Sequence, residues 1–299
     1  MKENRLRYVL ITPARNEECF IEGVIRSVIL QSVKPLRWVI VSDGSTDGTD
    51  AIIGYYCQLY GWIDFVRMPE HRDRQFAAKV HCFNAGYKRL KGLTYDIIGN
   101  LDADITFGED YIEYLLGKFN EEPMLGVAGT PFVENGMRSI GGNFVNLNHV
   151  SGACQLFRKS CFEQIGGYKP IKGGGIDWTA VTTARMKGWQ TRTFTDRVCY
   201  HHRKMGTGNS GYLMSRFYHG QKDYYLGGHP LWELFRGFYR MGQKPYVVAG
   251  AYLLAGYFGA YFKKIERPIP KDVIEFHRSE QIQRLKEIFI KRFGKKIKG

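Results

Sequence analysis

Several familiar signatures are missing from this 299-residue chain. No Gly-x-Gly-x-x-Gly follows its first apolar run, which excludes a dinucleotide-binding Rossmann unit. No Gly-x-x-x-x-Gly-Lys-Ser/Thr occurs, which excludes a P-loop, and there is no Gly-rich phosphate loop of the nucleotidyltransferase kind. The six cysteines are scattered without any Cys-x-x-Cys, so neither a zinc site nor a disulfide framework is expected. No secretory leader precedes Met1-Lys2-Glu3-Asn4, and the thiols read as reduced groups of a cytosolic protein. Internal repeats, low-complexity tracts and Pro-rich linkers are also lacking.

What remains is a globular composition, 44% hydrophobic and 24% charged, long enough for a large core. Acidic residues thin out toward the C-terminus. Residues 1–205 carry 26 Lys and Arg against 22 Asp and Glu, whereas residues 206–299 carry 17 against 7. The net charge of +14 is therefore concentrated in the last third, which suggests an anionic partner there.

The first two thirds alternate between strand and helix patterns. Leu6–Thr12 reads as a strand, followed by a helix from about Glu18 to Gln31 with Ile21, Val24, Ile25 and Val28 on one face. Trp38–Val41 is a second strand, and Ser45 or Thr46 is expected to cap a helix running to about Tyr60. Ile63–Arg67 and Asp96–Asp102 are further strands; Gln75–Leu90 and Asp110–Asn120 are helices. Such alternation predicts an α/β fold, a mostly parallel central sheet flanked by helices.

The run Ile97-Ile98-Gly99-Asn100-Leu101 ends in Asp102-Ala103-Asp104. On an extended strand the two carboxylates share a face and suit one hard cation; a solvated turn is the plainer alternative. Asn16/Glu17 and Asp43/Ser45 end two other strands. Acidic groups gathered at one sheet edge repel each other, which points to a metal and a hydroxyl-rich or phosphorylated ligand.

Residues 7 to about 203 resemble a family 2 glycosyltransferase of the GT-A fold. The resemblance is carried by Thr12-Pro13-Ala14-Arg15-Asn16-Glu17-Glu18, Val41-Ser42-Asp43-Gly44-Ser45, Lys79 with Asn84-Ala85-Gly86, Leu101-Asp102-Ala103-Asp104, Ser151-Gly152-Ala153 and Gly175-Ile176-Asp177. Ser42 stands where the family often has a second Asp, and Ile176 where it usually has Glu. The resemblance implies that Pro13, Ala14 and Glu17 line the nucleotide pocket and that Asp43 accepts from the base, usually uracil. Lys79 would neutralise donor phosphate, and Asp102 and Asp104 would hold Mg2+ or Mn2+, with Asp102 also on the donor. His201 is the preferred further metal ligand, with His202 the other choice. Asp177 would be the general base of an inverting transfer. Plainer roles stand beside these: a dipole-complementing acid at Glu17, a turn residue at Asp43, a solvated lysine at Lys79 and a helix cap at Asp177. Trp178 would stack on an acceptor sugar or simply pack. Arg72, Asp73, Arg74, Gln75, Arg203 and Lys204 lie near enough in sequence to approach the donor.

Residues 206–299 have another character. Leu231, Leu234, Phe235 and Phe238 fall at i, i+3, i+4 and i+7, an apolar helical stripe. Tyr246–Phe262 lacks charge, but at about 25 Å as a helix it falls short of a hydrocarbon core of about 30 Å. Its tyrosines and glycines suit a buried, re-entrant or interfacial helix better than a span. Ser279 is expected to cap a basic amphipathic helix, with Lys295, Lys296 and Lys298 beyond it. Together these read as a helical C-terminal extension on an anionic membrane surface, against the alternative of an ordinary helical subdomain.

The expectation is therefore a GT-A catalytic domain over residues 1–205 and a basic, amphipathic helical region over 206–299. The enzyme would be cytoplasmic, peripheral or monotopic on the cytoplasmic face. It would move a sugar from a nucleotide-sugar donor, a UDP-sugar foremost, to a glycan or lipid-linked acceptor in polysaccharide synthesis. A polyprenyl-phosphate sugar synthase and a non-catalytic membrane-bound relative are the alternatives; nucleic acid is not an expected partner, since no reading module accompanies the basic tail.

Overall fold

Alternation of apolar side chains on both faces of each early strand dictates a sheet covered on two sides. A computed structural model describes residues 6–70, 76–139, 146–171, 173–203 and 211–293. The chain divides into two compact units, Met1–Lys204 and Met205–Gly299.

The first unit runs β1 (Tyr8–Ala14), α1 (Ile21–Ile29), β2 (Arg37–Ser42), α2 (Thr49–Leu59), β3 (Ile63–Arg67), α3 (Phe76–Arg89), β4 (Ile97–Leu101) and β5 (Ile105–Phe107). It continues through α4 (Tyr111–Glu121), β6 (Leu125–Gly129), β7 (Phe132–Glu134), β8 (Met137–Arg138), β9 (Cys154–Arg158), α5 (Lys159–Gln164), α6 (Ile176–Met186), β10 (Gln190–Thr193) and β11 (Cys199–His201). Seven strands form the main sheet in the order β10-β6-β9-β4-β1-β2-β3, and β5-β11-β7-β8 form a second one. The main sheet is parallel except for β9, which runs antiparallel to both β4 and β6. This is the expected α/β architecture.

Tyr8 and Leu10 pack with α1, α2 and α4 on one face, while Val9 and Ile11 pack with α3, α5 and α6 on the other. Gly99 marks where the sheet is tightest, since a Cβ there would lie 2.5 Å from Leu10 Cδ2 and 2.6 Å from Leu156 Cδ2. The register sets Ala14 opposite Ser42 and Ile11 opposite Asn100. β1, β2 and β4 therefore end at one edge, where antiparallel β9 begins with Cys154 opposite Leu101. All six cysteines are free thiols.

Two local expectations change. β4 stops at Leu101, and Asp102 and Asp104 sit on a turn closed by Ile105 N–H donating to the Asp102 carbonyl at 3.3 Å. Strand alternation therefore does not orient them. The second helix begins at Thr49 with Gly48 as its cap, in place of Ser45 or Thr46, because those two residues are engaged by Asn16. Asn16 N–H donates to Ser45 Oγ, and Thr46 N–H donates to Asn16 Oδ1. Asp47 and Glu18 instead accept from the Thr49 and Gly48 amides at the helix start.

The second unit comprises α7 (Tyr212–Tyr225), α8 (Pro230–Met241), α9 (Val248–Phe262) and α10 (Lys271–Phe293). Glycines let its helices touch backbone to backbone. A Cβ on Gly256 would fall on the Phe217 carbonyl of α7, and one on Gly250 would lie 2.3 Å from the Gly237 carbonyl of α8. Tyr257 is fully buried and donates to the Gly228 carbonyl at 2.7 Å. Among the described residues no helix is long and apolar enough to cross a membrane. Ser279 is no cap: it lies inside α10 and donates to the Phe276 carbonyl.

Most telling is α8. Leu231 and Phe238 of its apolar stripe are 57% and 65% exposed, while Glu233 and Gly237 are buried.

Candidate active site

The strand ends place the acids predicted from sequence around one edge of the main sheet. After β1, the loop carries Asn16 with φ 54°, a left-handed conformation tolerated by Asn, and turns Glu17 inward. Glu17 N–H donates to Thr49 Oγ1, and its carboxylate pairs with Arg203 at 2.5 Å. Burial raises the Glu17 carboxyl above its ordinary range, and Arg203 only partly offsets this. The helix starts at Ile21, so Glu17 is not a first-turn dipole acid. Pro13 and Ala14 form the end of β1 beside it.

Asp43, just past β2, lies 3.5 Å from Arg15 and accepts from the Cys82 thiol on α3 at 3.3 Å. Burial and the Asp43 charge push that thiol upward, so Cys82 is a neutral donor and not a nucleophile.

Lys79 reaches from α3 to Asp102 Oδ1 at 2.5 Å. Burial alone would favour the neutral amine, but the Asp102 charge and hydrogen bond, joined by the charges of Asp177 and Asp104, together outweigh it and hold Lys79 protonated. At Asp102 burial is the larger effect, raising the carboxyl in spite of Lys79, with the Asp104 charge adding to the rise.

Asp104 takes other partners. His201 Nε2 lies 3.4 Å from Asp104 Oδ2, as does Arg203 Nε. Burial opposes ionisation of Asp104, yet His201 and Arg203 together pull its carboxyl below the usual range. The Asp104 contact in turn raises His201. Nδ1 of His201 is buried without a hydrogen bond, 3.5 Å from Glu134 Oε2 on β7. His202 goes elsewhere: its ring meets Thr106 Oγ1 at 2.7 Å. Of the two histidines, His201 is the one turned to the acids. Among the described residues no three His, Cys, Asp or Glu side chains form a ready-made metal cluster. Each acid of the Asp-Ala-Asp turn instead has protein cations as partners.

Asp177 lies in the first turn of α6, whose N-cap is Gly175 at φ 88°. It is not the helix cap. Its Oδ2 accepts from Gly152 N–H at 3.2 Å, just ahead of β9. The antiparallel insertion of β9 beside β4 is what brings Ser151-Gly152-Ala153 next to Asp102, whose N–H donates to the Ala153 carbonyl at 2.9 Å. Arg203 was legible only as a basic residue after the histidines. Glu134 carried no sequence signal, because its neighbour His201 lies far along the chain. Asn100 had a faint one, being the lone polar side chain in an apolar strand. Arg72, Asp73, Arg74, Gln75, Lys204, Lys295, Lys296 and Lys298 lie outside the described residues.

The profile described as "Glycosyl transferase family 2" matches residues 9–143. That range holds β1 from its second residue through β8 and five of the acids above, Glu17, Asp43, Asp102, Asp104 and Glu134. Residues 9–143, a little under half of the chain, thus match a family 2 glycosyltransferase domain.

Curated relatives of this domain include poly-beta-1,6-N-acetyl-D-glucosamine synthases. That of Staphylococcus aureus is 28% identical over 170 residues, covering 50% of this chain and 39% of the relative. That of Staphylococcus epidermidis is 23% identical over 209 residues, covering 64% and 47%. The matched stretch is thus less than half the length of these relatives. Among solved structures, mannosyltransferase PcManGT from Pyrobaculum calidifontis, in complex with GDP-Man and Mn2+, superposes with a TM-score of 0.59 at 18% identity, covering 88% of this chain and 89% of that one. S. aureus TarS 1-349 gives 0.55 at 13% identity, covering 86% and 72%. At such identities the likeness establishes the family 2 domain's GT-A fold.

Proposed function

We propose that this chain is an inverting, metal-dependent glycosyltransferase that moves a sugar from a nucleotide-sugar donor, a UDP-sugar foremost, to a glycan or lipid-linked acceptor. One observation carries the reading: Asp177 does not cap its helix but is held by the Gly152 amide, one residue from the peptide that grips Asp102. A carboxylate so placed serves as a base beside a donor site. Asp177 takes the proton of the acceptor hydroxyl as that oxygen attacks the anomeric carbon. With no second nucleophile assigned, a single displacement inverts the centre.

Pro13, Ala14 and Glu17 line the nucleotide pocket in this reading, and Asp43 accepts from the base imide N–H. Lys79 and Arg203 supply positive charge to the departing diphosphate once donor displaces them from Asp102, Glu17 and Asp104. Asp102, Asp104 and His201 are the residues that would hold Mg2+ or Mn2+. Their chemistry fits: two carboxylates and an imidazole suit Mn2+, and a carboxyl raised by burial, and to a lesser extent by the neighbouring Asp104 charge, is the setting a divalent cation relieves. When bound, the ion supplies Lewis-acid neutralisation of the diphosphate.

The second unit, in the same reading, rests on an anionic membrane surface. The support is α8, which turns Leu231 and Phe238 outward, together with exposed Phe262, Phe289, Ile290, Lys263, Lys264 and Lys286. The same proposal gives the enzyme a lipid-linked or growing-polymer acceptor and a peripheral position on the cytoplasmic face.

The enzymatic part is tested by following hydrolysis of UDP-GlcNAc, UDP-glucose and GDP-mannose with MnCl2, MgCl2 or EDTA, with Asp177→Asn as control. Turnover that needs the metal and Asp177 is expected. Absence of donor binding with either ion would remove the reading, and donor binding without turnover would favour the non-catalytic relative. Sedimentation with phosphatidylglycerol vesicles tests the membrane part; a chain ending at residue 205 that still pellets refutes it.

A further inference from the structure

Strand β4 is apolar or glycine at every position but one. Asn100 is only 2% exposed, too deep to meet a substrate. Its Nδ2 donates to the Gly152 carbonyl at 2.8 Å and points to Asp102 Oδ1 at 3.3 Å. Both partners only accept, so the amide must present its NH2 to them. Oδ1 is consequently left buried without a hydrogen-bond partner. An unsatisfied buried acceptor weakens a fold, and a leucine would have continued the apolar strand without one. Packing alone gives no reason for an amide here.

The contacts of Asn100 give one. Gly152 presents its carbonyl to Asn100 and its N–H to Asp177 Oδ2, so one residue links strand and carboxylate. There is no room for a side chain at that link: a Cβ on Gly152 would lie 2.9 Å from Asp177 Cβ and 3.0 Å from its Oδ2. The path Asp102–Asn100–Gly152–Asp177 is continuous and short.

We infer that Asn100 is a positioning residue that, through Gly152, fixes the proposed base Asp177 relative to the donor-side acid Asp102. The inference rests on the reading of Asp177 given above. Misplacing a base by a fraction of an ångström to an ångström lowers turnover while leaving donor binding nearly intact.

The test uses the full chain with Asn100→Leu, Asn100→Ala, Gly152→Ala, Asp177→Asn and the Asn100→Leu/Asp177→Asn double variant. On whichever of the three nucleotide sugars the wild type turns over with Mn2+, Asn100→Leu is expected to lower kcat about tenfold or more. KM for the donor should stay within about twofold, as for an interaction expressed only in the transition state. In the Asp177→Asn background the same change should cost less than about threefold, because the group it positions is already gone. Gly152→Ala should reproduce the kcat loss, and Asn100→Ala serves if leucine overpacks the strand. Unchanged kcat, or losses that multiply fully in the double variant, overturn the inference. Hydrogen–deuterium exchange separates it from the enzymatic reading. Asn100→Leu should speed exchange in residues 151–154 and at the start of α6 while β1 and β2 keep their protection. Unchanged exchange there overturns the link whatever the activity. An inactive wild type, with exchange still altered in Asn100→Leu, removes the base and leaves the link standing.

Discussion

The main sheet of the first unit and helix α8 of the second treat apolar side chains in opposite ways. In the first, every strand of the main sheet except the edge strand β10 sinks apolar side chains into both faces, and polar groups gather where β1, β2 and β4 end. In the second, α8 does the reverse, burying Glu233 and Gly237 and turning Leu231 and Phe238 to the outside. Glu233 sits near Asp223 and Arg236, which pairs with Asp223 at 2.5 Å and with Glu233 at 3.2 Å. Burial, reinforced by the Asp223 charge, pushes the Glu233 carboxyl up to about 8. The first unit is organised to hold a polar ligand at an edge, the second to leave apolar surface uncovered. A helix that buries Glu233 and exposes Phe238 is what the membrane-surface reading proposed above rests on.

The sharpest way to break the contrast is at the sheet edge. Asp177→Asn keeps an oxygen for the Gly152 amide but removes the proton acceptor, so kcat should fall about 10²- to 10⁴-fold with little change in melting temperature. Initial rates and a thermal melt decide it; an active variant would strip the edge of its assigned chemistry. Next comes the outward face of α8. Replacing Leu231 and Phe238 together by serine should leave the helical content of the unit unchanged, since neither side chain is buried. Binding to anionic vesicles should drop at least about tenfold, each apolar side chain being worth about 1.5–3 kcal/mol when removed from water. A shifted melt with unchanged vesicle binding would make that face structural.

Glu233 gives a smaller effect with a definite sign. Its folded-state pKa lies above the unfolded value, so the folded state binds the extra proton. The stabilisation from that proton is fully present below about pH 4.5 and is lost as pH rises toward 8, on the order of a few kcal/mol. Glu233→Gln should flatten the pH dependence of denaturation over that window. A wild type whose stability rises from pH 5 to 8 while the variant does not would reverse the assignment. Smallest is Gly99→Ala, where the added methyl meets Leu10 and Leu156; overpacking costs about 1–3 kcal/mol in urea denaturation, with the edge where β1 and β2 end still formed.

Much of the first unit could be read directly. Ile63–Arg67 matches its strand residue for residue, and the other early elements lie within a few positions of their predicted ends. Side-chain periodicity is local and survives folding when a sheet is covered on both faces. The start of the second helix was misread because Ser45 and Thr46, good caps by type, bind Asn16 from another loop. The apolar stripe of α8 was legible; its direction was not, since periodicity names a face without saying what lies against it.

The residues themselves determined the succession of strands and helices, the acids that close the strands and the basic character of the last third. Only the folded chain decided that Asp102 and Asp104 leave a turn toward different cations, that Asp177 answers to Gly152, and that Asn100 joins them. The last two depend on β9 entering antiparallel beside β4, a pairing between segments more than fifty residues apart. Local sequence carries no record of such a pairing, because its energy lies in contacts the chain makes only after it has folded.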